Sequence, residues 1–164
     1  MNAMRRRLQF ALVLSAWLPV ATALAAQETP NVPSPPDRRP GYAAPPQVVA
    51  EIREVVEGAI ARFHAMDERG LLALVSGQYR TDTLTKAGIA DQLRTVFTLH
   101  DQVRARVRID DVRIVGEHAW VYSTGQVTGR LRVVGSWILV GSWERELEVA
   151  RREDGRWRLY GYQQ

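Results

Sequence analysis

Two rhythms of apolar residues divide the chain, and the change falls at Val103. In "QVVAEIREVVEGAIARFHAMDERG", Val49, Ile52, Val56, Ala59, Ile60, Phe63 and Met66 recur at steps of three and four, while Glu51, Arg53, Glu54, Glu57 and Arg62 fill the remaining positions. Residues so spaced share one face at 3.6 residues per turn, so the pattern predicts a long helix with a single apolar stripe. A short second helix is expected at "LLALV" after Gly70. A third carries Ile89, Leu93, Val96 and Phe97. Between them, "SGQYRTDT" reads as a loop or a very short strand.

Beyond Val103 the period becomes two. Val103, Ala105, Val107 and Ile109 alternate with Arg104, Arg106 and Arg108, which gives a strand with one apolar and one charged face. Asp110 and Asp111 break the phase before Val112 and Ile114 resume on shifted parity. One extra residue in an alternating strand predicts a β-bulge, and with it a bent sheet. "VGEH" predicts a two-residue hairpin turn led by Gly116, and "VGSW" a second such turn at Gly135. The closing hairpin, "SWERELEVARRED" to "GRWRLYGYQQ", is expected to turn on the three residues Glu153, Asp154 and Gly155, which opposes Val149 to Leu159 and Leu147 to Gly161. That register faces Trp143 and Trp157 inward. It sends Glu144, Glu146, Glu148, Arg156, Arg158, Tyr160 and Tyr162 outward. Three helices followed by long antiparallel strands predict an α+β domain, its helices on one side of a strongly curved sheet.

Composition sets the borders of that domain. All eight prolines fall at or before Pro46. Residues 1–25 follow the order of a secretory signal peptide: Arg5, Arg6 and Arg7, an apolar run from Leu8 to about Val20, and Ala23-Leu24-Ala25 as the cleavage signal. Residues 26–46 form a Pro-rich segment expected to be an extended, disordered linker, and 47–164 form the domain. The apolar run is short for a bilayer span, so the mature protein is expected to be periplasmic or secreted, with no stable membrane anchor after cleavage. Export also changes the charge. The full chain has 22 basic and 18 acidic residues; without the signal the count is 19 against 18, a net of +1. A nucleic-acid partner would require a gathered basic excess, so none is expected, and the glutamates opposite the closing arginines give those arginines local partners. The absence of cysteine excludes disulfides, thiol catalysis and zinc–cysteine sites.

The long first helix, short second helix, third helix opened near a glycine, "VRIVGEHAWVYSTG" and the terminal "VARREDGRWRLYGYQ" together resemble the nuclear transport factor 2-like superfamily, in particular its small SnoaL-like and ketosteroid-isomerase-like bacterial members. The resemblance runs from about Val48 to the end. It implies a cone-shaped roll in which a curved sheet wraps the long helix around a pocket, and a homodimer formed through the outer sheet face. The ketosteroid isomerases of this group need a tyrosine donor on the first helix, a carboxylate base after the helices and a second acid in the sheet. Here Phe63 stands at the tyrosine position, Asp82 lies near that of the base, and the sheet position is unassigned.

Two functions therefore stay open. One is a noncatalytic module that binds a small apolar or amphipathic ligand or a protein partner, its pocket lined from Phe63, Tyr79, Phe97, Trp120, Tyr122, Ser123 and Trp137. The other is an isomerase or lyase with an acid–base pair drawn from His64, Asp67 and Tyr79. His64 can equally flank the apolar stripe while Asp67 caps the next helix. His100 with Asp101 suits a helix end, and His118 an exposed turn. The three histidines match no metal-ligand spacing, so no metal and no cofactor is expected.

Overall fold

The computed structural model describes residues 40–162. The expected signal peptide and most of the Pro-rich segment lie outside the described residues. The last part of that segment belongs to the sheet: β1, Tyr42–Ala43, pairs with Ile114 and Arg113. Helix α1 follows at Pro46–His64, with proline at its first turn, where the missing N–H has no intrahelical partner to lose. It buries Ile52 and Phe63 from the predicted stripe. The helix ends before Met66, which the stripe had included, because Met66 turns left-handed at φ 55° and breaks the ladder. Asp67 then caps α2, Glu68–Ala73, by accepting the Gly70 amide at 2.9 Å.

The "SGQYRTDT" stretch supplies β2 (Arg80–Thr81), which pairs with β3 (Leu84–Thr85) just beyond it in a two-stranded ribbon. Thr85 caps α3, Lys86–Leu99, which buries Ile89, Ala90, Leu93 and Val96. Three long strands come next, β4 (His100–Val115), β5 (His118–Leu131) and β6 (Trp137–Glu153), closed by β7 (Arg156–Leu159). All are antiparallel, in the order β1-β4-β5-β6-β7. The segment after α2 docks on the free side of β7: the Ser76 amide donates to Leu159 O and the Leu159 amide to Leu74 O, each at 2.8 Å.

Bulges bend the sheet around α1. The shift between Ile109 and Asp111 is the one the double aspartate predicts. Asp110, the extra residue, is held by Arg108 at 2.9 Å and Thr124 at 2.5 Å, hydrogen bonds that keep its carboxyl below the usual range, the threonine's first. In β6 a second bulge centres on Arg145, which is left-handed at φ 47°. Ser123 pairs with Glu146 and Gly125 with Trp143, so one residue of β5, Thr124, faces two of β6, Glu144 and Arg145. Apolar residues fill the concave side in two clusters. One gathers Phe63, Val75, Ile89 and Val127 beneath the helices, the other Ile52, Val112, Ala119 and Trp157 toward the start of α1. Each fully buried aliphatic or phenyl side chain among these contributes roughly 1.5–3 kcal/mol, and the Ala119 methyl less.

The turns divide. Val115 pairs with His118 across Gly116 and Glu117, with Gly116 at φ 60°, as a glycine-led two-residue turn requires. The turn at Gly135 is longer than expected: Arg130 pairs with Trp137, and the Gly135 amide reaches back to Leu131 O at 2.8 Å, so a wider loop replaces the two-residue turn. The closing hairpin also departs from expectation. Ala150 opposes Leu159 and Glu153 opposes Arg156, which leaves a two-residue loop of Asp154 at φ 50° and Gly155 at φ 76°. Two successive left-handed residues make the Asp-Gly turn that matches strand twist, and it outweighs the cost of setting Arg152 opposite Trp157. That cost is small here, because the Arg152 guanidinium lies 5.0 Å from the centre of the Trp157 ring and also pairs with Glu51.

Candidate functional site

The one-residue change of register moves a carboxyl group into the cone. On β6 the inward positions are Ala150 and Glu148 rather than Val149 and Leu147. Val149 is nonetheless buried, at 4% exposure, on the outer side, where it pairs with Trp120 and where the Tyr162 ring meets Trp120 edge-on at 5.5 Å.

Between α1 and the sheet lies a cavity of ≈ 140 Å³. Helix α1 forms one wall with Ile52, Val56, Ile60 and Phe63. Opposite stand Val107, Val121, Trp143 and Trp157. Gly125 makes room for the Trp143 indole; a Cβ there would press into that ring and lie 2.6 Å from Arg106 O. The indole Nε1 in turn donates to the Ser123 hydroxyl at 3.1 Å, so Ser123 reaches the cavity with its own proton still to place.

Glu148 is the carboxyl in this apolar wall. As a residue it is half-buried, but its Oε1 is sequestered and has no hydrogen-bond partner. Burial pushes its carboxyl well above the usual range, the charge of Glu146 pushes the same way, and the Val149 amide opposes them weakly. Burial so favours the neutral form, in which the carboxyl carries a proton it can donate. Glu146, two residues away on the same face, is pushed up to about 7 by burial. Tyr79 is buried at 2% exposure and belongs to the same core cluster as Phe63 and Trp143. Burial raises its phenol, the nearby Glu148 adds to this, and a hydrogen bond with Thr81 works against it.

The other sequence candidates are spread around this centre. Phe63 and Ser123 line the cavity; Phe97 stands behind Phe63, ring centres 5.6 Å apart. Trp120 and Tyr122 pair with Val149 and Leu147, on the parity that faces away from the cavity. Trp137 lies at the far end of β6, beneath the Arg104 guanidinium at 4.3 Å. His64 is exposed and accepts the Ala105 amide on Nε2 at 2.9 Å, which ties α1 to β4 and occupies the ring nitrogen. Asp67 is exposed and spent on its cap. The structure thus does not bring His64, Asp67 and Tyr79 together. His100 is buried and its Nδ1 meets Val96 O at 2.8 Å, while Asp101 binds Arg130 through both oxygens. Asp82, left-handed at φ 49°, sits in the turn between β2 and β3. No cluster of three metal-ligating side chains occurs among the described residues.

No protein-family model matches the chain, and no curated protein does. Solved structures do. A conserved protein from Planctomyces limnophilus superposes with a TM-score of 0.60 at 16% identity, over 70% of this chain and 92% of that one. A ketosteroid isomerase-like protein from Erwinia carotovora atroseptica gives 0.56 at 18% identity, over 71% and 93%. A protein of unknown function with a cystatin-like fold from Nostoc punctiforme gives 0.55 at 14%, over 73% and 90%. The fold is the cystatin-like, nuclear transport factor 2-like one. At these identities the shell is shared and the lining is this chain's own.

Proposed function

We propose that this is an exported domain that binds a small, mainly apolar molecule carrying one hydrogen-bond-accepting oxygen. Export rests on the arginines, apolar run and Ala23-Leu24-Ala25 of the first 25 residues. The observation that carries the binding reading is the unpartnered Oε1 of Glu148 in a wall that is apolar apart from Ser123 and Arg158. A buried polar atom without a partner costs about 1–3 kcal/mol, and a ligand that supplies the partner recovers it. The volume matches cavities of about 150 Å³ that hold benzene.

The test compares cyclohexane with cyclohexanone by heteronuclear NMR titration. The ketone is expected to bind about tenfold more tightly, the value of one well-made hydrogen bond. Glu148→Leu should erase the difference while keeping cyclohexane binding. Equal affinities in the unaltered protein would refute the role given to Glu148.

A second reading, general acid–base chemistry of the isomerase kind, is favoured by Glu146 being held at about 7 beside the neutral Glu148. It predicts that the protein catalyses exchange of the α-protons of cyclohexanone with deuterated solvent, and that Glu148→Gln stops it. Binding without exchange leaves the first reading alone.

A further inference from the structure

Exposed large apolar side chains are not scattered over this molecule. Apart from Tyr42, those among the described residues gather at the end where β5 turns into β6: Leu99 at the close of α3, Val133 and Val134 in the turn, and Trp137, Ile138 and Leu139 opening β6. Val133 is 95% exposed and Val134 65%. Arg132 ties the base of this turn to α3. Arg132 spans from the turn to the end of α3, its guanidinium donating to Thr98 O at 3.2 Å, Phe97 O at 3.1 Å and His100 O at 2.9 Å, while its amide reaches Leu99 O at 3.0 Å.

Behind this tip the outer sheet face is basic. Arg104, Arg106 and Arg108 stand in a row along β4, all exposed. Across from them a shallow open groove of ≈ 330 Å³ is lined by Arg106, Arg108, Thr124, Gln126 and Ser142. Asp110 pairs with Arg108 of the row and Asp101 with Arg130, which leaves Arg104 and Arg106 outside these ion pairs. Arg104 covers the Trp137 ring, so apolar tip and basic row form one surface.

We infer that this surface docks on an anionic lipid bilayer, with Val133 and Val134 entering the acyl boundary, Trp137 at headgroup level, and Arg104, Arg106 and Arg108 against lipid phosphates. The division of labour is that of interfacial binding: apolar area supplies the insertion, and arginines near the surface add attraction to anionic headgroups. Tryptophan, part apolar and part hydrogen-bonding, belongs at that depth. A second copy on the outer sheet face, which the resemblance implies, is the competing occupant, and the arginine row weighs against it wherever the pairing would bring the two rows together.

The chain has no cysteine, so a single substitution gives a unique label site. Val133→Cys in the full chain, carrying an environment-sensitive fluorophore, is mixed with phosphatidylglycerol–phosphatidylcholine vesicles. A second sample carries the label at Glu117→Cys, in the β4–β5 turn at the other end of the sheet. The expected result is a blue shift and quenching by spin-labelled acyl chains at position 133 and not at 117, weakened by salt. Arg106→Glu, an exposed change, should reduce both signals. The same response at 117 and 133 would mean that another part of the chain holds the membrane. A shift without vesicles that grows with protein concentration would mean that a second copy covers the tip. Either result, or no shift at all, overturns the proposal.

Discussion

Replacing Glu148 with glutamine isolates the energetic consequence of the buried carboxyl. The folded-state pKa of Glu148 lies well above the ordinary 4.5. Between those two values the folded protein holds a proton that the unfolded chain has released, so stability is greatest below about 4.5 and falls as pH rises toward the folded value. Each pH unit in that interval costs about 1.4 kcal/mol. The loss due to this residue grows with each pH unit and stops once the folded value is passed. Glu148→Gln has no proton to hold, so its stability should lack this decline. Its unpaired amide adds a penalty of about 1–3 kcal/mol that does not vary with pH, so the decisive quantity is the slope and not the offset. Urea unfolding of both proteins at a series of values between about pH 5 and 7 measures it, since the slope of free energy against pH counts the protons taken up. The two curves should converge or cross as pH rises. Parallel curves would mean that Glu148 is ionised in the folded protein, and the hydrogen-bond donor assigned to the cavity would be lost with it.

Three further outcomes follow from single contacts. His64→Leu leaves the Ala105 amide without its acceptor and should cost about 1–2 kcal/mol in chemical denaturation, with no change in cyclohexanone affinity, because His64 fastens α1 to β4 and does not line the cavity. Glu51→Ala removes the acceptor of both Trp157 Nε1, at 2.8 Å, and Arg152; a loss of about 1–2 kcal/mol is expected by the same assay. Gly125→Ala forces the Trp143 ring from its seat, which should cost about 1–3 kcal/mol and shift the tryptophan emission as the Ser123 hydrogen bond breaks.

The sequence made the helices, the bulge at Asp110 and the α+β order legible because each rests on local periodicity or on one phase slip. The cavity residue it hid was Glu148. Along "ERELEVA" the alternation is clear, but alternation names two faces without saying which is inside. The usual rule, apolar inward, fails because Leu147 and Val149 have an apolar setting of their own on the outer side, with Trp120, Tyr122 and Tyr162. One local signal did carry the right parity. Asp154-Gly155 is a strong two-residue turn, and a hairpin closed on it places Ala150 against Leu159 and so turns Glu148 inward. Other features arise only from distance: Phe97 and Phe63 are neighbours across two helices, and Arg132 completes the end of α3 from the far side of a strand. His64 and Asp67, three apart on what read as one helix, are separated by the left-handed Met66 and face different tasks.

The bulge at Arg145 also bears on how such a cavity changes over time. Because two residues of β6 there face one of β5, Trp143 and Glu148 face the same interior despite their odd and even positions. Deleting that one residue would restore simple alternation and exchange the inward set on one side of it for the outward set. A single-codon insertion or deletion at a bulge can therefore replace a cavity's lining wholesale while leaving the shell intact. Lineages that drift by such steps would keep a common shape long after their sequences had ceased to align.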